Sequence, residues 1–299
     1  DGQAGPFGRP LALASFLINV GSWPDAPQDF LYTNSLVHLL NGLLITLLSL
    51  RLVPYIPWIK HGEEWFALAV GCLWISSPLL MSTSLMIVQR MTSLSATFAL
   101  ATFLAYVIAW SNRPRFPRLA TLLMAASVAI GTTLSALTKE TGALVPLYVW
   151  VLHVFLLESK DLNCKRIGRE SESESECVPR EIPCSEPLNV KVAYPQRLPL
   201  RVPLGQQRDG LFSVFKLVFF FLPAILLAGY AIDFCINSAT QFSGRKFGLL
   251  DRVLTELRIL FEYLRLIILP DRPSLGPFHD DYEISRSLID PATTLAAAI

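Results

Sequence analysis

Leu137-Thr138-Lys139-Glu140-Thr141 sets a lysine and a glutamate between two apolar runs, Leu119 to Ala136 and Gly142 to Leu157. At about 1.5 Å per helical residue, each run is long enough to cross most or all of a hydrocarbon core of roughly 30 Å. The stretch therefore reads as the turn of a membrane hairpin. An ionisable pair at that depth is costly unless it pairs, reaches water or handles a ligand. The plainer alternative is that Lys139 reaches up to the headgroups while Glu140 caps a helix.

The rest of the chain agrees with a membrane setting. Hydrophobic residues make up 52% of the 299 and charged residues 16%, too apolar a balance for polar surface to cover a soluble domain. A net charge of +1 supplies no basic field for nucleic acid, so the expected partner is the lipid bilayer and nucleic acid is excluded. The fold class expected is all-α, a polytopic membrane helical bundle of about six spanning helices plus interfacial helices. The spans run from about Ser35 to Leu52, Trp65 to Met86, Ser93 to Trp110, Leu119 to Ala136, Gly142 to Leu157 and Leu211 to Ile232. In the second, Ser76-Ser77-Pro78 predicts a bend, because proline removes a backbone donor.

Two apolar stretches read as interfacial. Leu11 to Ile18, entered through Gly5-Pro6-Phe7-Gly8-Arg9-Pro10, is too short to span. Leu249 to Leu269 carries Asp251, Thr255, Arg258, Glu262 and Arg265 at steps of three and four, which makes one face charged and the other apolar. Three units follow. Residues 1–157 form an N-terminal membrane bundle with outer-face loops, and residues 158–210 a disordered polar cytoplasmic loop. Residues 211–299 add a membrane helix, an interfacial helix and an outer-face loop. The central loop contains Arg169-Glu170-Ser171-Glu172-Ser173-Glu174-Ser175-Glu176, a low-complexity acidic tract. Cys164, Cys177 and Cys184, three of the five cysteines, lie there at no metal-binding spacing and read as free thiols.

Arg113, Arg115 and Arg118 crowd one short loop and mark the cytoplasmic side. By alternation Lys139, Glu140, Arg9 and Arg90 share the opposite, outer side. Arg90 keeps its charge, so it must meet an anion, a carbonyl cluster or the headgroups. Asn34, His38 and Asn41 fall on one helical face, which points inward either to glue helices or to bind a ligand. His279, Asp280 and Asp281 are the densest titratable cluster. They suit a divalent cation such as Mg or Mn, or acid/base work, and equally suit a solvated turn.

With those residues in view, the chain resembles the membrane half of the GT-C glycosyltransferases. Among these it is similar to bacterial relatives of the protein O-mannosyltransferase-like enzymes that carry C-terminal tetratricopeptide repeats. The pieces that carry the resemblance are Gly5-Pro6-Phe7-Gly8-Arg9-Pro10 with Ser15-Phe16, then Asn34-Ser35-Leu36-Val37-His38-Leu39-Leu40-Asn41 and Val88-Gln89-Arg90-Met91-Thr92. Leu137-Thr138-Lys139-Glu140-Thr141 and His279-Asp280-Asp281 complete the set.

The resemblance implies transfer of a sugar from a polyprenyl-phosphate carrier to a protein or glycan acceptor, at the periplasmic face of a bacterial inner membrane. It makes Arg9, Arg90 and Lys139 contacts for the lipid phosphate, adds His38 as a substrate-binding position, and lets Glu140 orient Lys139. Glu140, His279, Asp280 and Asp281 are the candidates for catalysis. The family's first helix, the acid at the start of its first outer loop, and the repeats are not matched here, so the chain is expected to be a fragment whose catalytic base is unassigned. A transporter or flippase of a lipid-linked or anionic substrate is the competing expectation, since it too needs Asn, His, Arg and Lys facing inward at membrane depth.

Overall fold

The structure is a computed structural model, and it describes residues 8–56, 58, 59, 61–158, 210–237, 247–269, 282–291 and 293–298. The described residues form helices and no strand. They are α1 (Pro10–Phe16), α2 (Gln28–Leu52), α3 (Glu63–Ser76), α4 (Pro78–Ser84), α5 (Arg90–Asn112) and α6 (Pro117–Thr138), followed by α7 (Val145–Leu152), α8 (Gly210–Ile236), α9 (Leu249–Ile268) and α10 (Thr293–Ala298). Short 3-10 turns extend α1 through Ser22 and lead into α7 from Glu140. The protein is an all-α polytopic bundle and an integral membrane protein, and among the described residues five helices are long and apolar enough to cross a bilayer: Gln28–Tyr55, Ile87–Asn112, Pro117–Thr138, Glu140–Leu157 and Gly210–Ile236.

That count is one fewer than expected, and the difference lies at Pro78. The stretch from Trp65 to Met86 is not one bent helix. At Ser77 the backbone turns extended, with ψ 116°, and Pro78 opens a new helix, leaving pieces of 14 and 7 residues, neither long enough to span alone. The break is tolerated because the carbonyls it frees find donors: Nε2 of His38 donates to the carbonyl of Ile75 at 3.1 Å, and the Ser77 N–H to that of Trp74 at 3.4 Å.

The broken pair nevertheless carries the chain back along α2. Gly42 faces Ile75, Gly71 faces Thr46, and the Asn34 side chain donates to the carbonyl of Ser84 at 3.2 Å. The paired numbers fall on one side as they rise on the other, as antiparallel helices require. So the alternation survives the loss of one continuous span. Helix α5 then runs parallel to α2, with Asn41 donating to the Ser93 carbonyl at 3.0 Å and accepting from Thr97 at 2.7 Å.

Helix α6 returns antiparallel against α5. Gly131 lets the two backbones close on Thr102, and the hydroxyls of Ser95 and Ser135 meet at 2.8 Å, the small-residue and hydroxyl chemistry that holds helices together in lipid. Helix α8 packs its aromatic side on α7, with Trp150 against Phe220 and His153 against Phe212. The buried cluster of Leu48, Tyr106, Trp110, Met124, Val149, Phe215 and Phe220 joins α8 to the helices before the central loop. The buried core is thus shared by helices on both sides of the central loop. The central loop itself, with its acidic tract and three cysteines, lies outside the described residues.

Helix α1 and its 3-10 extension bury Ala12 and Asn19 while leaving Leu17 and Ile18 exposed. Helix α9 likewise leaves Leu250, Leu260, Phe261, Leu264 and Ile267 exposed. Neither counts among the five spanning helices.

Candidate functional site

The charged residues expected to share a side do meet at one end of the bundle. Here α6 stops, the chain reverses, and α2 and α5 begin. The reversal is built by two backbone features. Lys139 is extended, with φ −153° and ψ 140°, which ends α6, and the next turn folds back so closely that a Cβ on Gly142 would strike the backbone of Ser135 and Ala136. Only glycine fits there. Glu140 is thereby turned toward α1, and Lys139 toward the start of α5.

Arg9 approaches Glu140 from the left-handed backbone position (φ 47°) just ahead of α1. Its Nε lies 2.9 Å from Oε1 and 3.2 Å from Oε2, and its Nη2 lies 3.0 Å from Oε2. The two side chains are 28% and 25% exposed. Such a forked pair is stronger and more directional than a single contact. Nη1 of Arg9 also reaches the sulfur of Met91 at 3.1 Å, so α1 is tied to both α5 and α7.

Lys139 donates from Nζ to the Thr92 hydroxyl at 2.9 Å, and Thr92 in turn donates to Oε1 of Gln89 at 2.8 Å. Among the described residues Lys139 makes no ion pair, because the neighbouring carboxylate is committed to Arg9. Glu140 was expected to orient Lys139; its bonds are made with Arg9 instead. Thr92 is the lysine's holder, and sequence reading passed over it although it stands in the same Gln89-Arg90-Met91-Thr92 run.

Arg90 resolves among the three surroundings expected for it in favour of carbonyls. It is wholly buried. Nε donates to Oδ1 of Asn34 at 2.7 Å, Nη1 to the carbonyl of Ser15 at 2.9 Å, and Nη2 to the carbonyl of Phe30 at 2.9 Å. The rings of Phe16 and Phe30 flank the guanidinium at 4.9 and 5.3 Å. In this arrangement Arg90 fastens α1 and the start of α2 onto α5, and its distance from solvent leaves Arg9 and Lys139 as the cations that face outward. Asn34 completes the knot by donating to the Ser84 and Met86 carbonyls at 3.2 and 3.0 Å.

The polar stripe on α2 is accordingly spent on helix contacts: Asn34, His38 and Asn41 are all buried and bonded to backbone or side chains of α3, α4 and α5. His38, expected to touch substrate, bonds Ile75 at the helix break. His279, Asp280 and Asp281 lie outside the described residues. Among those described, no three His, Cys, Asp or Glu side chains gather as a metal site. A cavity on α9, lined by Phe247, Arg252, Thr255, Glu256 and Ile284, contains none of the expected site residues.

Among the described residues at this corner, Arg9, Arg90 and Lys139 stand against Glu140, Asp29, which accepts from Ser22 at the start of α2, and the exposed Asp25. Lys139 is the cation held by a neutral hydroxyl rather than by a carboxylate. The chain matches no protein-family model, no curated protein and no solved structure.

Proposed function

We propose that the protein is a GT-C-type glycosyltransferase that takes a sugar from a polyprenyl-phosphate-linked donor and passes it to a protein or glycan acceptor at the outer, periplasmic face of a bacterial inner membrane. The observation that carries this reading is Lys139. It is a cation at the turn of a membrane hairpin, held by Thr92 rather than by a carboxylate, beside the Arg9–Glu140 pair. A phosphate leaving group develops negative charge as the glycosidic bond breaks, and a cation already in position stabilises it without reorganisation. Arg9 supplies a second cation whose geometry Glu140 holds. Helix α1, apolar on its outer side, lies where an acyl chain would approach that phosphate.

Glu140 is occupied with Arg9, so the general base or a divalent-cation ligand is sought at His279, Asp280 and Asp281. Purified protein incubated with a polyprenyl-linked sugar and acceptor peptide is expected to form a new linkage. Movement of intact lipid-linked sugar across vesicles, with no linkage formed, would replace this reading with transport.

A further inference from the structure

Thr92 sends its hydroxyl proton to a side chain, which most threonines of this bundle do not. Thr46, Thr102, Thr121 and Thr133 each donate to the carbonyl four residues back in their own helix, at 2.7 to 2.9 Å, the usual use of a threonine inside a helix. Thr92, in the first turn of α5, donates instead to Oε1 of Gln89 at 2.8 Å and accepts from Nζ of Lys139 at 2.9 Å. All three residues are partly buried.

A hydroxyl has one proton and two lone pairs. With that proton held by Gln89, Thr92 can meet the lysine only as an acceptor, which suits an ammonium and offers nothing to the lone pair of a neutral amine. Were the proton free, the same oxygen could turn and donate to the neutral form. The direction matters because Lys139 is pressed to lose its charge: burial, and then the neighbouring Arg9, hold its pKa below the ordinary lysine value, with Glu140 pulling the other way.

We propose that Gln89 is a positioning residue for this corner, acting through Thr92: by taking the hydroxyl proton it fixes Thr92 as an acceptor, so that Lys139 stays charged and in place. The consequence for sugar transfer rests on the reading of Lys139 as a phosphate contact. The order of the two hydrogen bonds does not. Arg9, Glu140 and Arg90 are the charged groups around the ammonium among the described residues, and they are common to every variant compared below, so their effects cancel.

The test follows acetylation of Lys139 by trace acetic anhydride in the intact protein in detergent, read by mass spectrometry as a function of pH. The midpoint reports the charge on the amine and the plateau its accessibility. In Gln89→Met the midpoint should fall by about half a pH unit, and in Thr92→Val by about one, with the plateaus unchanged. Gln89→Glu still accepts the Thr92 proton and should keep the midpoint at or above that of the wild type. The double variant Gln89→Met/Thr92→Val should fall no further than Thr92→Val alone, because Gln89 has nothing left to act through. An unmoved midpoint in Gln89→Met, a fall in Gln89→Glu as large as in Gln89→Met, or a full further fall in the double variant overturns the proposal. Sugar transfer is assayed beside it. Midpoint shifts without transfer in the wild type would keep the role of Gln89 and remove the glycosyltransferase reading, whereas transfer without the shifts would do the reverse.

Discussion

Arg9 and Glu140 join the segment ahead of α1 to the hairpin after α6 through three nitrogen–oxygen contacts of 2.9 to 3.2 Å, across 131 positions of sequence. A partly exposed pair of this kind has a modest intrinsic worth, and its fork adds direction. A double-mutant cycle with Arg9→Met and Glu140→Gln should return a coupling of about 1 kcal/mol in unfolding free energy. Strict additivity would show that the pair does not hold α1 down. Sugar transfer should fall in both single variants, because Arg9 loses its place in either case.

Lys139→Ala is expected to lower turnover by about 10²–10³-fold, by analogy with removal of one donor to a developing oxyanion. Thr92→Val removes one charge-assisted hydrogen bond from the same ammonium and should cost about ten-fold, the low end of about 1.5–3 kcal/mol because Lys139 is partly exposed. The ranking matters more than either value: near-normal turnover in Lys139→Ala, measured at saturating donor, would remove the lysine from the site.

For Arg90 the expected loss is in stability. Arg90→Met leaves the carbonyls of Ser15 and Phe30 and the amide oxygen of Asn34 buried without their donors, at about 1–3 kcal/mol for each unsatisfied group. Arg90→Lys should rescue little, since one ammonium cannot reach three acceptors spread around a planar fork. Thermal unfolding in detergent measures both. A normal midpoint with lost activity would return Arg90 to the substrate-contact role first expected of it.

Two glycines separate backbone from side-chain crowding. A Cβ at Gly142 meets the backbone of Ser135 and Ala136, whereas one at Gly131 meets the Thr102 side chain, whose hydroxyl and methyl can turn while its Cβ, at 2.8 Å, must give slightly. Gly142→Ala should destabilise by about 1–3 kcal/mol and Gly131→Ala by less. Equal effects would mean that the hairpin relaxes as easily as a rotamer.

Orientation is checked by labelling intact cells in a cysteine-free background. Cysteines placed at Thr141 and Asn237 should react with an impermeant maleimide, and one at Arg115 should react only after permeabilisation. The reverse pattern would put the charged corner in the cytoplasm and the arginine cluster outside.

Much of the architecture is written in the order of residue types. Apolar runs of spanning length, broken by Lys139-Glu140 and by the Arg113–Arg118 turn, determine an all-α membrane bundle because lipid leaves the backbone no partner outside its own helix. Alternation of those runs also places Arg9, Arg90, Lys139 and Glu140 at one end, where the structure brings Arg9 and Glu140 into contact. Partnership was decided only by tertiary packing. Sequence adjacency pairs Lys139 with Glu140, but the extended backbone at Lys139 and the close return at Gly142 point their side chains apart, to Thr92 and to Arg9. Likewise Pro78 announces a disturbance in a helix, while the distant neighbour His38 helps to make it a full break, since it supplies a donor to the freed Ile75 carbonyl. Whether a buried charge such as Arg90 binds a ligand or a knot of carbonyls depends on which distant backbones reach it, and that is a property of the packed bundle and not of its own segment.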